Sequence, residues 1–287
     1  MSTFSKSNII RVFARTLGNI LIVLMPKKAS QLPKNRITLV HKNKNNLNIL
    51  ERLMRYALVQ KLEKIQNHDI IAEANREFWT NNNNATELFL ETDDTFKTDF
   101  LPNCTFIFDI LKTELSNQSD PFDTIVEIGT GSGDVLKYLS IKFPQIKRLV
   151  GIDLSQHQVD INNEKFQNDK KLEFVASDAY DWIKKHGQSN TIFISSRGVL
   201  EYFLEQRLQD FLKEVNQLGR IIFVAIEPNA SDHNFETHPN TKLYGNEPSF
   251  SHNYPKLFKN ADFNLWHFSQ KPWFNGGNTQ TFIGAKN

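Results

Sequence analysis

The second half of the chain alternates short apolar runs with longer segments in which apolar residues recur every three or four positions. Four of the runs end in, or are followed by, small or polar residues: Thr124–Ile128, Leu149–Asp153, Leu172–Ala176 and Thr191–Ile194. Such near-continuous apolar runs are typical of buried parallel strands, and the segments between them have the helical period. A fifth run at 219–226 and two final runs at 263–268 and 279–284 complete the pattern. Alternating strands and helices predict an α/β fold with a mostly parallel sheet and helices on both faces.

A glycine-rich turn joins the first of these strands to the helix that follows. Residues 129–133 read Gly-Thr-Gly-Ser-Gly, and Glu127 precedes them in the strand. Glycines let the backbone approach a ligand closely, and a helix N-terminus offers unpaired N–H groups, so the turn predicts a nucleotide-cofactor site. A dinucleotide-binding turn needs a small residue where this chain has Asp134, which makes NAD and FAD less favoured.

Polar side chains follow the other strands as well. Asp153 ends the second strand, Asp178 follows the third, and Ser195 and Ser196 follow the fourth. An acid at the end of the second strand is placed to accept hydrogen bonds from ribose hydroxyls. Because open α/β sheets bind ligands outside the carboxyl ends of their strands, these residues predict one shared site.

Over residues 120–287 the order of these motifs resembles that of the class I S-adenosylmethionine-dependent methyltransferases. The resemblance implies a Rossmann-like, seven-stranded, mostly parallel sheet. It also implies S-adenosylmethionine as the cofactor, with the methionine moiety held by Glu127 and the glycine turn, the ribose by Asp153 and the adenine amino group by Asp178. The implied cofactor-binding set is the following: Glu127, Gly129, Gly131, Gly133, Asp153, Leu154, Asp178, Ala179 and Ser196.

The segment after the fourth strand narrows the resemblance to the small-molecule branch of that family. Val199–Tyr202 is similar to the V-L-E-H stretch of that branch, with Tyr202 in place of the usual histidine. The resemblance implies methyl transfer to a hydroxyl, or less favourably to an amine, of a small metabolite, glycan or natural product. A non-catalytic binding or scaffold subunit of the same fold is the alternative.

A hydroxyl acceptor requires a base, and histidine suits this role near neutral pH. His252 and Tyr254 are the predicted catalytic residues, because they lie in a group of hydrogen-bonding residues, 250–254, directly before a short apolar helix. His233 and His238 are alternative bases, and capping or packing by His252 and Tyr254 is the structural alternative. All four residues lie in segment 227–260, whose length predicts a lid over the site.

A metal site is not predicted, although segment 227–260 contains candidate ligands. Glu227, His233, Glu236 and His238 could supply oxygen and nitrogen ligands, but their spacing matches no metal motif. The single cysteine, Cys104, excludes an intramolecular disulfide and favours a reducing, cytoplasmic location. Its apolar surroundings predict a buried thiol that behaves as a small hydrophobe.

The N-terminus differs from the rest of the chain in charge. The first 50 residues hold nine Lys or Arg and no Asp or Glu, whereas the remainder has 25 basic and 32 acidic residues, a net charge of 25 − 32 = −7. Residues 9–25 predict a mostly apolar helix with Arg11, Arg15 and Asn19 on one polar stripe. The longest stretch of this helix without a charged residue is too short to cross a bilayer. It is expected to cover the chain's own core or a dimer partner, or to lie on an anionic membrane surface, and nucleic acid is the least favoured partner.

Helical segments separate this arm from the first strand. Residues 47–79 predict one or two amphipathic helices, and residues 103–116 predict another. The family resemblance implies that such helices cap the substrate end of the cofactor site. The predicted organisation is therefore a basic arm at 1–46, a helical cap at 47–119 and a cofactor-binding domain at 120–287.

Overall fold

The computed structural model describes residues 6–30, 32, 48–65, 67–80, 94–244, 249–273 and 278–287. The chain divides into two compact units, and residues 246–249 belong to the first, Met1–Phe78. The second unit contains Trp79–Gly245 and Phe250–Asn287. Residues 94–119, which were assigned to the predicted cap, lie in the second unit with the sheet, and their role as a cap stays a prediction.

Nine strands lie in the described residues: β1 Thr124–Ile128, β2 Arg148–Asp153, β3 Leu172–Ala176, β4 Thr191–Ser196, β5 Ile221–Ala230, β6 Lys242–Tyr244, β7 Ser249–Ser251, β8 Asn264–Pro272 and β9 Asn278–Lys286. Seven of them form one sheet in the order β3-β2-β1-β4-β5-β9-β8. The strands from β3 to β5 are parallel, and β9 runs antiparallel to both β5 and β8. The predicted Rossmann-like, seven-stranded, mostly parallel sheet is confirmed.

The helices of the described residues alternate with these strands in the second half of the chain: α1 Lys6–Leu24, α2 Pro26–Ala29, α3 Ile49–Ile65, α4 His68–Thr80, α5 Leu101–Cys104, α6 Phe106–Ser116, α7 Asp134–Lys142, α8 Gln156–Lys165, α9 Ala179–His186, α10 Glu205–Gln217 and α11 Tyr254–Asn260. A π-helical turn at Phe96–Phe100 precedes α5, and a 3₁₀ turn at Leu200–Tyr202 follows β4. The helix predicted at 103–116 corresponds to α6 and the end of α5.

Both faces of the sheet are buried, which explains why the strands are apolar throughout. Val126 and Ile128 of β1 join one core cluster, whereas Ile125 joins the cluster on the opposite face. Successive strand residues point to opposite faces, so nearly every residue of a strand that is covered on both faces is buried and apolar. Glu127 interrupts this rule, because it is completely buried in the same strand.

β5 is longer than the sequence predicted. The prediction placed residues 227–260 in one connection, but β5 continues to Ala230 and pairs with β9 along its whole extension. Pro228 is tolerated there because β4 ends at Ser196, opposite Ile226, so the missing N–H faces no neighbouring strand on that side. The remaining part contains β6, β7 and α11, so the predicted end of the fifth strand at residue 226 is wrong, and the role of this segment as a lid stays a prediction.

In the first unit, α1 packs closely against α3. A Cβ on Gly18 would lie 2.1 Å from the carbonyl oxygen of Leu53, so the two backbones can approach only because residue 18 is glycine. The predicted N-terminal helix and the two amphipathic helices are present. The predictions that concern basic residues 34, 36, 42 and 44 lie outside the described residues. Among the described helices, none has the length and apolar character that a membrane span requires.

Candidate active site

The glycine-rich turn lies between β1 and α7, at the point where the order of the strands reverses. β1 has β2 on one side and β4 on the other. The chain adds β2 and β3 on one side of β1, and then β4 and β5 on the opposite side. All three glycines have left-handed backbones, with φ of +66° at Gly129, +50° at Gly131 and +76° at Gly133. A Cβ on Gly129 would lie 2.5 Å from a methyl group of Val199. Crevices at such reversal points are where open α/β sheets bind their ligands.

Asp153, at the end of β2, holds this turn in place. Its Oδ2 accepts a hydrogen bond from the N–H of Gly131 at 2.9 Å, and its Oδ1 accepts one from the N–H of Ser155 at 3.0 Å. Burial raises the pKa of the carboxyl, and the hydrogen bonds from Ser155 and Gly131 oppose that shift. A carboxylate has about four acceptor positions, so Asp153 can hold the turn and still accept a hydrogen bond from a ribose hydroxyl.

Glu127 joins the turn to the end of β4. Its carboxylate accepts hydrogen bonds from Ser196 Oγ and Thr130 Oγ1, both at 2.8 Å. Burial raises the pKa of Glu127 to about 8, against the effect of these two hydroxyls. The structure therefore brings Glu127, Ser196, the glycine turn and Asp153 together at one edge of the sheet, as the sequence predicted.

Asp178 lies at the end of β3 and has structural partners. It is the N-cap of α9, where its Oδ1 accepts the N–H of Tyr180 at 3.0 Å. Both carboxylate oxygens also accept hydrogen bonds from Arg207 Nη2, each at 2.9 Å. Ala179 is the first residue of α9, and Leu154 follows β2 as a half-buried residue. The contact between Asp178 and an adenine amino group stays a prediction.

Glu227 is a site residue that sequence reasoning treated only as a candidate metal ligand. It is completely buried in β5 and accepts hydrogen bonds from the N–H groups of Val199 and Leu200, at 3.0 and 3.1 Å. Ser195 Oγ donates a third, short hydrogen bond to the same carboxylate. Burial raises the pKa of Glu227 to about 8. The sequence signal for this role was an acidic residue within an apolar strand. In the structure, Glu227 fixes the turn that follows β4.

His252 is completely buried, and both of its ring nitrogens are hydrogen-bonded. Nδ1 accepts a hydrogen bond from Thr241 Oγ1 at 2.8 Å, and Nε2 donates to the carbonyl of Phe203 at 3.1 Å. Since a carbonyl can only accept, the Nε2–H tautomer is the one that fits. This arrangement favours the packing alternative, and the role of general base stays a prediction.

Tyr254 is the first residue of α11, and its side chain is also completely buried. Its hydroxyl lies 3.5 Å from the carbonyl oxygen of Pro228, and burial raises its pKa well above the usual value. The phenol therefore keeps its proton near neutral pH. The alternative bases differ in exposure, because burial lowers the pKa of His233 whereas His238 is exposed and bonds Thr237 Oγ1 at 2.9 Å.

These residues fit a nucleoside cofactor with a cationic methionine end. The glycine turn lets a ligand approach the backbone closely, Asp153 lies beside it, and Glu127 supplies a carboxyl group on the other side. The fold and the site together define an α/β protein with a candidate nucleoside-binding site at the carboxyl edge of its sheet.

Comparisons with known proteins narrow this class. Residues 125–220 match a family model described as a methyltransferase domain. None of the curated protein sequences matches the chain. Among solved structures, a SAM-dependent methyltransferase from Leishmania major is similar with 12% identity and a TM-score of 0.51, over 75% of this chain and 82% of that chain.

Two further solved structures are similar at lower scores. Geranyl diphosphate C-methyltransferase from Streptomyces coelicolor A3(2) has 14% identity and a TM-score of 0.46, over 62% of this chain and 76% of that one. Magnesium protoporphyrin IX methyltransferase from Synechocystis PCC 6803 has 12% identity and a TM-score of 0.43, over 63% and 78% of the two chains.

The family-model match shows that residues 125–220, which contain the glycine turn and strands β1 to β4, form a methyltransferase domain. Its cofactor is S-adenosylmethionine, which supplies an activated methyl group on a sulfonium when it is bound. The chain's own residues must then position the acceptor in line with that methyl group.

Proposed function

We propose that the protein transfers a methyl group from S-adenosylmethionine to a hydroxyl of a small metabolite, glycan or natural product, with an amine as the less favoured acceptor. The glycine turn at the reversal of strand order, held by Asp153 through the N–H of Gly131, is the observation that carries the cofactor assignment. A hydroxyl acceptor must lose its proton, and the histidines of segment 227–260 are the candidate bases. Bases are effective when their pKa lies near the working pH.

The proposed cofactor contacts follow the strand ends. Glu127 and the glycine turn hold the methionine end, Asp153 and Leu154 contact the ribose, and the third strand end contacts the adenine. The third strand end consists of Asp178 and Ala179 at the start of α9. Ser196 supports this set by fixing the Glu127 carboxylate through its hydroxyl.

His252 remains the proposed base, with Tyr254 beside it at a ring-centroid distance of 5.6 Å. Nδ1 is the only basic nitrogen of the Nε2–H tautomer, so proton transfer requires the Thr241 hydroxyl to turn away from it. His233 and His238 are the alternatives.

Calorimetry and a transfer assay test the proposal together. S-adenosylhomocysteine should bind with micromolar-range affinity, and methyl transfer from radiolabelled S-adenosylmethionine should be faster to hydroxyl acceptors than to amines of the same scaffold. Absence of cofactor binding would contradict the cofactor assignment. Binding without transfer to any small-molecule pool, in a complex with a second protein, would instead support a non-catalytic scaffold subunit.

A second proposal concerns the arm, which we infer contacts an anionic membrane surface, with a homodimer as the alternative. α1 packs one side against α3, but it leaves large apolar side chains exposed, among them Phe13 at 69%, Val23 at 78% and Leu24 at 70%. Lys27 and Lys28 follow directly in α2. Apolar side chains beside lysines are typical of helices that lie in a membrane interface.

A further inference from the structure

Arg197 holds an unusual position directly after β4. Its φ is +64°, in the left-handed region that non-glycine residues rarely adopt, and its N–H donates to the carbonyl of Ile226 at 2.7 Å. Such a backbone costs roughly 1–3 kcal/mol, and residues that adopt it cluster at functional sites. The residue follows Ser196, which bonds Glu127, so its side chain starts at the reversal point of the sheet.

The guanidinium of Arg197 is held in a fixed orientation. Nη2 donates to Asp99 Oδ2 at 2.9 Å, and Nη1 donates to Thr95 Oγ1 at 3.3 Å. Asp99 is almost completely buried in the π-helical turn, an irregularity that occurs often at functional sites. The Trp273 ring centroid lies 5.5 Å from the guanidinium carbon. A guanidinium has five N–H donors. Two of them are hydrogen-bonded to described residues, so three can bind a ligand.

Gln280 is a second donor at the same edge of the sheet. Its side chain is 3% exposed, and its Nε2 is buried with no hydrogen-bond partner among the described residues. Buried amide groups are nearly always paired, so this N–H group is available as a donor to a bound ligand. Gln280 pairs with Pro228 of β5 on one side and with Lys271 of β8 on the other. Pro228 lies two residues after Ile226, which pairs with Ser196 at the end of β4.

The sheet register places Gln280 on the face that carries Ser196, and the guanidinium of Arg197 lies near Trp273, which packs against the core of the same face. Paired residues of neighbouring strands point to the same side, and every second residue along a strand does so too. Ser196 pairs with Ile226, Ile226 pairs with Phe282, and Phe282 is two residues from Gln280. Gln280 therefore lies on the face that carries Ser196, and that face is covered by the helices that contain Cys104 and Phe108.

The charge balance in this region is positive. Lys271 Nζ lies 3.5 Å from the centroid of the Phe106 ring, and both Lys271 and Arg197 are close enough to Cys104 to favour the charged form of its thiol. Asp99 is the carboxylate that acts on the same thiol in the opposite direction. Two cations, one carboxylate and an unpaired amide donor, bordered by aromatic rings, suit an anion attached to a flat or apolar body.

We propose that Arg197 and Gln280, beside Trp273 and Lys271, bind a carboxylate of the methyl acceptor. The proposal rests on the proposed function, since it names a feature of the acceptor. A guanidinium presents parallel N–H groups that match the two oxygens of a carboxylate, and an amide N–H can reach one of them. Asp99 and Thr95 are the positioning residues that set the direction of the guanidinium.

Calorimetry on the full chain, saturated with S-adenosylhomocysteine, tests this site with benzoate, benzamide and phenyl phosphate as probes. Benzoate should bind at least ~10-fold more tightly than neutral benzamide, which corresponds to about 1.4 kcal/mol. Arg197→Met should remove this preference, and Gln280→Leu should weaken benzoate binding while leaving benzamide unchanged. Arg148→Met is the matched control, because Arg148 is an exposed arginine paired with Glu173.

Several results would overturn the carboxylate site. These are equal binding of benzoate and benzamide, unchanged benzoate affinity in both variants, or phenyl phosphate binding without benzoate binding. If Arg197→Met does not fold, Gln280→Leu decides, because it replaces an unpaired buried amide by an apolar group and should not destabilise the chain. The affinity for S-adenosylhomocysteine should be unchanged in both variants. Failure of that nucleoside to bind wild-type protein would instead contradict the proposed function.

Discussion

Asp153 shows how one side chain can hold a turn in place and keep acceptor positions for the proposed ribose contact. The sequence identified it from its place at the end of an apolar run, but its hydrogen bond to the N–H of Gly131 could not be predicted from spacing. That bond depends on how the turn folds back over β2. Arg197 was missed because its left-handed backbone and its contact with Asp99, distant in sequence, leave no periodic signal.

Replacing Asp153 by Asn should raise the Kd of S-adenosylhomocysteine by ~10–100-fold, because one charged acceptor for the ribose is lost, at about 1.5–3 kcal/mol. Asn keeps one oxygen for the N–H of Gly131 but removes the acceptor of the Ser155 N–H, so the melting temperature should fall somewhat while the turn stays folded. Calorimetry measures the affinity and thermal unfolding checks the turn. Asp169→Asn, which alters a carboxylate paired with Lys137, should leave the affinity unchanged. Equal affinity in Asp153→Asn and wild type would contradict the ribose role.

His252→Ala separates a catalytic histidine from a packing one. If His252 is the base, turnover should fall by ~10²–10⁴-fold at unchanged cofactor affinity. Loss of its two hydrogen bonds also leaves Thr241 and the carbonyl of Phe203 without this partner, so the melting temperature should fall as well. A lower melting temperature with normal turnover per folded molecule would make the residue structural.

At the scale of elements, the sequence predicted the order and type of the strands and helices well, because both faces of each strand are buried and the patterns are strong. It ended β5 too early. Pro228 and the polar residues after it resemble a loop, and only the end of β4 and the pairing with β9 make a strand favourable there. The longer strand places Glu227 beside β4, where it fixes the turn at Val199 and Leu200.

Glu227 gives this turn a dependence on pH. Its pKa is raised to about 8 in the folded chain from 4.5, so between these values the folded state keeps a proton that the unfolded state has lost. The contribution of this group to stability is therefore full below pH 4.5 and declines as pH rises through about 8. A group with this behaviour changes the free energy of unfolding by at most about 1.4 kcal/mol per pH unit.

Glu227→Gln should flatten the decline, because the amide resembles the protonated acid and does not titrate. The free energy of unfolding, measured by denaturant titration between pH 5 and pH 8, should fall less steeply in the variant than in wild type. Glu173→Gln, which changes an exposed carboxylate paired with Arg148, should keep the wild-type slope. Identical slopes in Glu227→Gln and wild type would show that Glu227 is already ionised in the folded chain.

At the scale of the whole molecule, the charge and apolar patterns differ between the N-terminal helix and the sheet. The sequence predicted a helix with a narrow polar stripe, and the structure shows why most of the remaining circumference is apolar. One side meets α3 through Gly18 and the cluster around Met54, and the other side carries exposed apolar residues. Packing within the first unit therefore explains only part of the apolar surface of this helix.

Vesicle binding tests the exposed part. Full-length protein should co-sediment with vesicles rich in anionic lipid at low salt and less so at high salt, because screening weakens the attraction of Lys27 and Lys28. Phe13→Ser with Val23→Ser should reduce binding by ~10-fold or more, since each buried apolar side chain contributes about 1.5–3 kcal/mol. Ile141→Ser, at a residue 69% exposed in the second unit, is the matched control and should have no effect. Neither substituted side chain of α1 belongs to the cluster against α3, so folding should be preserved. If the wild-type protein does not bind anionic vesicles, the membrane proposal is wrong. If, in addition, the wild-type protein is a dimer and the double variant is a monomer, this surface is a dimer interface.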